Sequence, residues 1–160
     1  MIHRFFYIVI AFVSAGALSA ALIAQYGFHL EPCAFCIYER YPYLVALALS
    51  LMGLWKPSWG SVVKICLFLC FLTGASITTY HILIEHHWVE PPSSCVSKFE
   101  ITDDTTVADL EAQVNSTARV IRCDIVPIKI FGLSLAEYNL LLSFVLIFMC
   151  LRKNNEAKNS

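Results

Sequence analysis

Residues 5–30 read FFYIVIAFVSAGALSAALIAQYGFHL, a run of 26 residues without Asp, Glu, Lys or Arg. At about 1.5 Å per helical residue, roughly 20 of them cross a hydrocarbon core of about 30 Å. Three more apolar stretches follow, and the expected spans are 5–27, 34–55, 62–84 and 131–151. The chain of 160 residues is 58% hydrophobic and 14% charged, more apolar surface than one soluble core of this size hides. The expected fold is an all-α membrane protein, a four-transmembrane-helix bundle in one domain, 1–151, with a tail at 152–160. A formal net charge of -1 points to neither nucleic acid nor acidic substrates.

Direction follows from the bases. Arg4, Lys56, Lys64, Arg152, Lys153 and Lys158 all fall beside span ends that a four-span meander puts on one side, the cytoplasm by the positive-inside rule. Both termini are then expected inside, with extracytoplasmic loops at 28–33 and 85–130; in the second loop acids outnumber bases. Ala17 to Ala20 imitates a signal-peptidase site, but the apolar run continues well past it, and no cleavage is expected.

This topology sorts the seven cysteines. Cys66, Cys70 and Cys150 lie within spans and read as small packing residues. Cys33, Cys36, Cys95 and Cys123 lie outside or at the outer membrane edge, where disulfides persist. A Cys33–Cys36 bridge closes too short a loop to constrain the unfolded chain much, so the pair suits switching better than stapling. Pro32 is placed to open a helix, with Cys36 in its first turn and Arg40 one turn further on. An arginine and Glu39 at the membrane edge are costly there, which favours a cation orienting a polar ligand over simple snorkelling to the headgroups. Cys95 and Cys123 sit on a loop that a soluble protein is expected to reach, and a purely structural bridge between them is the competing reading. Between them, Asp103-Asp104-Thr105 caps a candidate amphipathic helix carrying Val107, Leu110 and Val114. No metal site is expected, because His86 and His87 are adjacent and no second Cys-x-x-Cys accompanies the first.

The stretch PCAFCIYER at 32–40, Tyr80-His81 with Glu85 one turn on, the lone Cys95 after a Pro/Ser turn, and RCDIVPIKIFGLSLAEYN at 122–139 together resemble the DsbB family of bacterial disulfide-bond formation proteins, in a compact branch. The likeness runs from about residue 5 to 151. It implies a protein-disulfide oxidoreductase that reoxidises a periplasmic thioredoxin-fold thiol oxidase (DsbA-like), with a membrane quinone, ubiquinone or menaquinone, as electron acceptor. It implies catalytic Cys33, Cys36, Cys95 and Cys123, with electrons passing from the Cys95/Cys123 pair to Cys33/Cys36, and a quinone site at Arg40. His81 and Glu85, i and i+4 on one helix, are expected to line that site or a proton path, although a helix-packing role for His81 fits as well. The implied location is the bacterial inner membrane, with the redox cysteines on the periplasmic side. Two rival readings are a vitamin K epoxide reductase-like enzyme running the thiol chemistry the other way, and a non-catalytic four-span protein with two structural disulfides.

Overall fold

The computed structural model describes residues 2–95, 121–126 and 128–152. The candidate helix at 103–114 lies outside the described residues. Those described are mainly helical: α1 (Ile2–Leu22), α2 (Ala34–Tyr38), α3 (Arg40–Trp55), α4 (Gly60–Glu85) and α5 (Leu135–Leu151). Among the described residues, two helical segments, Arg4–Gly27 and Pro57–Glu85, are long and apolar enough to cross a membrane, and α5 is shorter. The second apolar stretch holds two helices, α2 and α3, that meet at Glu39. Pro42 sits in the first turn of α3, where its missing N–H leaves no helical bond unmade.

Residues 23–27 widen from α- to π-helix. Such a widening recurs at functional sites, and here it carries Gln25. At the other end of the chain, Lys129–Ile130 and Leu133–Ser134 form a two-stranded antiparallel hairpin. Its turn residues, Phe131 and Gly132, have φ of 50° and 86°. Both values belong to the hairpin turn that matches strand twist, an easy conformation for glycine and an uncommon one for phenylalanine. The helical part of the fourth apolar stretch therefore starts at Leu135 rather than Phe131. Ser134 fixes that start by accepting from the Glu137 amide at 3.2 Å while the Glu137 carboxylate accepts from the Ser134 amide at 2.7 Å, a reciprocal cap. Glu137 is thereby a capping residue of α5.

The helices pack around Tyr7, Ile10, Tyr43, Ala46, Val63, Leu67, Phe71, Leu146 and Cys150. Outward faces remain apolar, with Phe12, Leu51, Leu69, Phe144 and Phe148 exposed. That inside-and-outside apolarity suits a lipid surround better than water. Lys64 donates to the Arg152 carbonyl at 2.7 Å, so two of the bases near span ends meet at one end of the bundle, the end of α4 opposite Glu85.

Helix α1 lies against α3 because Gly53 leaves room for the Tyr7 ring, whose hydroxyl donates to the Gly60 carbonyl at 2.8 Å. A Cβ at Gly53 would stand 2.9 Å from that ring, whereas one at Gly16 would meet nothing within 4 Å. Gly53→Leu is expected to cost about 1 to 3 kcal/mol or more through overpacking, and Gly16→Leu close to nothing. Thermal unfolding of the two variants in the same detergent checks this, and equal midpoints would contradict it.

Candidate redox site

The helix that follows Pro32 starts at Ala34, so Pro32 lies outside it and Cys33 is its N-cap. The Cys33 sulfur accepts the Cys36 amide at 3.2 Å. Cys36 lies in the first turn of the helix, as expected, but the amide hydrogen bond at the helix start goes to the Cys33 sulfur, because the helix begins two residues later than a Pro32 start would give. The two sulfurs are 2.8 Å apart and both thiols are free.

His81 reaches this pair from α4. Its Nε2 lies 3.5 Å from the Cys33 sulfur, and its Nδ1 donates to Glu39 Oε1 at 2.8 Å. The Phe35 ring stacks on the imidazole at 5.7 Å between centroids. Glu39 Oε2 accepts from Asn139 Nδ2 at 2.8 Å; that amide also lies 2.9 Å from Thr78 Oγ1, and Tyr43 donates to Asn139 Oδ1 at 2.5 Å. A thiol, an imidazole and a carboxylate thus stand in line, and the carboxylate is held by side chains of α4 and α5. With Nδ1 donating to Glu39, Nε2 is aimed at Cys33 to exchange a proton with its sulfur. Glu85 completes the cluster, 3.9 Å from His81 Nε2 and accepting from the Ser134 hydroxyl at 2.7 Å.

The Cys33 thiol is held below the ordinary thiol range of about 8.5, first by the hydrogen bond from Cys36 and then by His81, against the opposing effect of burial. The sign follows directly. A lowered value keeps the thiolate populated at pH values where an ordinary thiol is protonated. Its contribution to the reduced fold is full above the ordinary value and is lost as pH falls through the lowered one. Alkylation of reduced Cys33 in EDTA-containing buffer is therefore expected to stay fast into mildly acid pH, with His81→Asn moving the inflection upward. Peptide mass spectrometry across a pH series measures it, and an inflection at the ordinary thiol value in both proteins would refute it.

Cys95 and Cys123 form a disulfide with a Cα–Cα distance of 5.3 Å. The pair is not exposed, as the loop reading expected. Cys95 is 0% and Cys123 1% accessible, and both pack in one buried cluster with Cys33 and Ile84, flanked by Ile121. The reason is hydrophobic burial of the disulfide itself against α2 and the end of α4. The bidentate ion pair of Arg122 with Asp124, at 2.9 and 2.5 Å, braces the exposed turn around Cys123.

On the other side of the dithiol lies a cavity of about 320 Å³, onto which Cys36, Glu39, Arg40, His81 and Glu85 open, with Ala17, Ala20 and Ala21 of α1 and Ala24 of the π-helical segment as an apolar wall. Arg40 Nη1 donates to Gln25 Oε1 at 2.6 Å, while its Nε is buried with no hydrogen-bond partner among the described residues. A guanidinium lining a cavity with an apolar wall fits a flat, lipid-soluble molecule with a carbonyl oxygen. Three of the residues here, Glu39, Asn139 and Gln25, were not picked out as site residues from the sequence. Each left a trace there: Glu39 as an acid at the membrane edge, Asn139 as the end of the 122–139 motif, Gln25 as the lone amide of the first apolar run.

A family model described as Disulfide bond formation protein DsbB matches residues 3–152. The chain belongs to the DsbB family. It is 34% identical over 140 residues to an uncharacterized protein of Rickettsia prowazekii (strain Madrid E), covering 88% of this chain and 81% of that protein. It is also 38% identical over 79 residues to disulfide bond formation protein B of Histophilus somni (strain 129Pt), covering 49% of this chain and 44% of that protein. The corresponding protein of Haemophilus influenzae (strain 86-028NP) is 37% identical over 54 residues, 34% of this chain and 30% of that protein. The match thus spans most of the rickettsial relative and less than half of the two named proteins. DsbB membership and the two long apolar helices make this a helical membrane protein with a role in disulfide-bond formation, a disulfide oxidoreductase.

Proposed function

We propose that the chain is a four-span thiol:quinone oxidoreductase of the bacterial inner membrane that reoxidises a periplasmic, DsbA-like thioredoxin-fold oxidase. Both termini are cytoplasmic in this reading, and the thiols face the periplasm. The observation that carries it is a division of labour within Cys-x-x-Cys: Cys33 packs against the Cys95–Cys123 disulfide, and Cys36 opens onto the Arg40 cavity.

The relay runs by thiolate attack. A thiolate of the reduced partner attacks Cys95, displacing Cys123 and forming a mixed disulfide; the partner's second thiol resolves it, leaving the partner oxidised and Cys95 and Cys123 reduced. Because Cys95 is buried, the segment that carries the bridge must lift from α2 to admit the partner. A thiolate of the reduced pair then attacks the Cys33–Cys36 bridge at Cys33, and Cys36 departs into the cavity. Re-forming each bridge releases two electrons and two protons in all from its two thiols. A bound quinone supplies the two-electron, two-proton acceptor. Arg40, lining the cavity, offers a guanidinium N–H to a carbonyl oxygen and favours negative charge developing there. His81, held by Glu39, takes the thiol proton at Cys33 and, with Glu85, lines the way for protons toward the cavity.

The deciding measurement is quinone reduction by the purified protein supplied with a reduced thioredoxin-fold partner. Loss of quinone absorbance in proportion to partner oxidised is expected. Partner oxidation without quinone reduction, or neither, refutes the assignment.

A further inference from the structure

We propose that the reduced dithiol site is a redox-gated binding site for a borderline-soft d10 cation of the zinc class, held by Cys33, Cys36 and His81. It concerns the same sulfurs as the relay, but rests on ligand geometry, and the binding test below uses neither partner nor quinone.

The ligand atoms of the three residues lie within 4.8 Å of one another. With Zn–S of about 2.3 Å and Zn–N of about 2.0 Å, a tetrahedral ion needs sulfur and nitrogen about 3.5 Å apart and its two sulfurs about 3.8 Å apart. The Cys33 sulfur and His81 Nε2 are already 3.5 Å apart. The sulfurs, at 2.8 Å, must open by about 1 Å, a side-chain rotation for which Cys36 has room on the cavity side. Two cysteines separated by two residues fall within the two-to-four-residue spacing typical of zinc sites.

The outer contacts are those of a metal histidine. Ligating histidines give their second ring N–H to a carboxylate, which fixes the tautomer and presents the other nitrogen's lone pair to the ion. Here Nδ1 donates to Glu39, itself fixed by Asn139, and Nε2 is turned to the thiols. The fourth position faces the cavity, where Glu85 Oε1 lies 3.9 Å from Nε2 and can serve as ligand or hold a bound water. The same cavity provides the entry path.

The sequence argument against a metal considered His86 and His87; the fold presents His81 instead, 45 positions after Cys36 and out of reach of any local pattern. Binding changes no oxidation state. Each thiol still protonated gives up its proton to solvent as its sulfur becomes a thiolate ligand. In the oxidised protein both sulfurs are tied in their own bond and cannot act as thiolate ligands, so the site exists only after electrons have arrived. An ion bound there withholds Cys36 from the cavity and arrests reoxidation.

The test uses the full chain in detergent, anaerobic, with ZnCl2 titrated against a chromophoric chelator. One equivalent is expected in the reduced protein and none once the Cys33–Cys36 bridge is formed. Replacing Cys66, Cys70 and Cys150 together by alanine, or Cys95 and Cys123 together by serine, should leave that equivalent in place. Glu39→Gln, which keeps the ligands, should weaken it about 10- to 100-fold, and His81→Ala at least as much. Cobalt substitution gives an independent readout, with thiolate-to-metal charge-transfer bands and tetrahedral d–d bands expected. Equal binding by oxidised protein, undiminished affinity in His81→Ala, or loss of the equivalent with the membrane cysteines would each overturn the proposal.

Discussion

Cells carrying Cys95→Ser are expected to accumulate the reduced thioredoxin-fold partner completely, while Cys33 and Cys36 stay oxidised. Serine cannot accept the partner's thiolate, so electrons never enter, yet the Cys33/Cys36 pair keeps its access through Cys36 to the cavity proposed to take the quinone. The substitution also removes a disulfide across 28 positions, a loss worth about 3 to 4 kcal/mol by loop-closure entropy. Cys123→Ser removes the same constraint and separates the two effects. It retains the attacked sulfur without its resolving neighbour, and should trap a mixed disulfide between Cys95 and the partner. Alkylation of acid-quenched cells reads all these states. A fully reduced Cys33/Cys36 pair in Cys95→Ser, or continued partner oxidation, would sink the proposed order.

The second large effect is at Arg40. Arg40→Ala should raise the apparent KM for quinone about 10- to 100-fold, the loss of a hydrogen bond from a charged donor in a dry site, and leave exchange between Cys95 and the partner unchanged. The basis is a guanidinium that lines the cavity beside the apolar wall, with Nη1 held by Gln25 at 2.6 Å. Lysine should rescue poorly, because an ammonium cannot hold Gln25 and a ligand oxygen with the same planar fork. Initial rates across a quinone titration decide it, and an unchanged KM would remove Arg40 from the quinone site.

Much of the frame was legible from residues alone. The run from Phe5 to Leu30 announces a long apolar helix because hydrophobicity and helical rise are local properties, and α1 with its π-turn runs to Gly27. Cys33, Cys36 and Arg40 declare themselves by spacing within ten residues. Less legible were the interruptions: the break at Glu39 and the hairpin at 129–134, which shortens α5, depend on caps and turns that a window average passes over.

The chemistry of the site lay further out of reach. His81 and Glu39 are 42 positions apart, Asn139 and Glu39 100, and Arg40 and Gln25 15. No periodicity links such pairs. They meet because small residues let the helices close on one another, Gly53 under Tyr7 and Gly74 against Pro42, and because buried polar groups must then find each other. The amino-acid order by itself determined the apolar segments, their helical character and the family-bearing cysteine pattern, since these are written in composition and short spacing. Only the tertiary structure decided that Cys33 packs against the Cys95–Cys123 disulfide, that Cys36 faces the cavity, and that an imidazole braced by a carboxylate stands beside them. Those are consequences of how separate helices pack, and packing brings together residues that have no local relation along the chain.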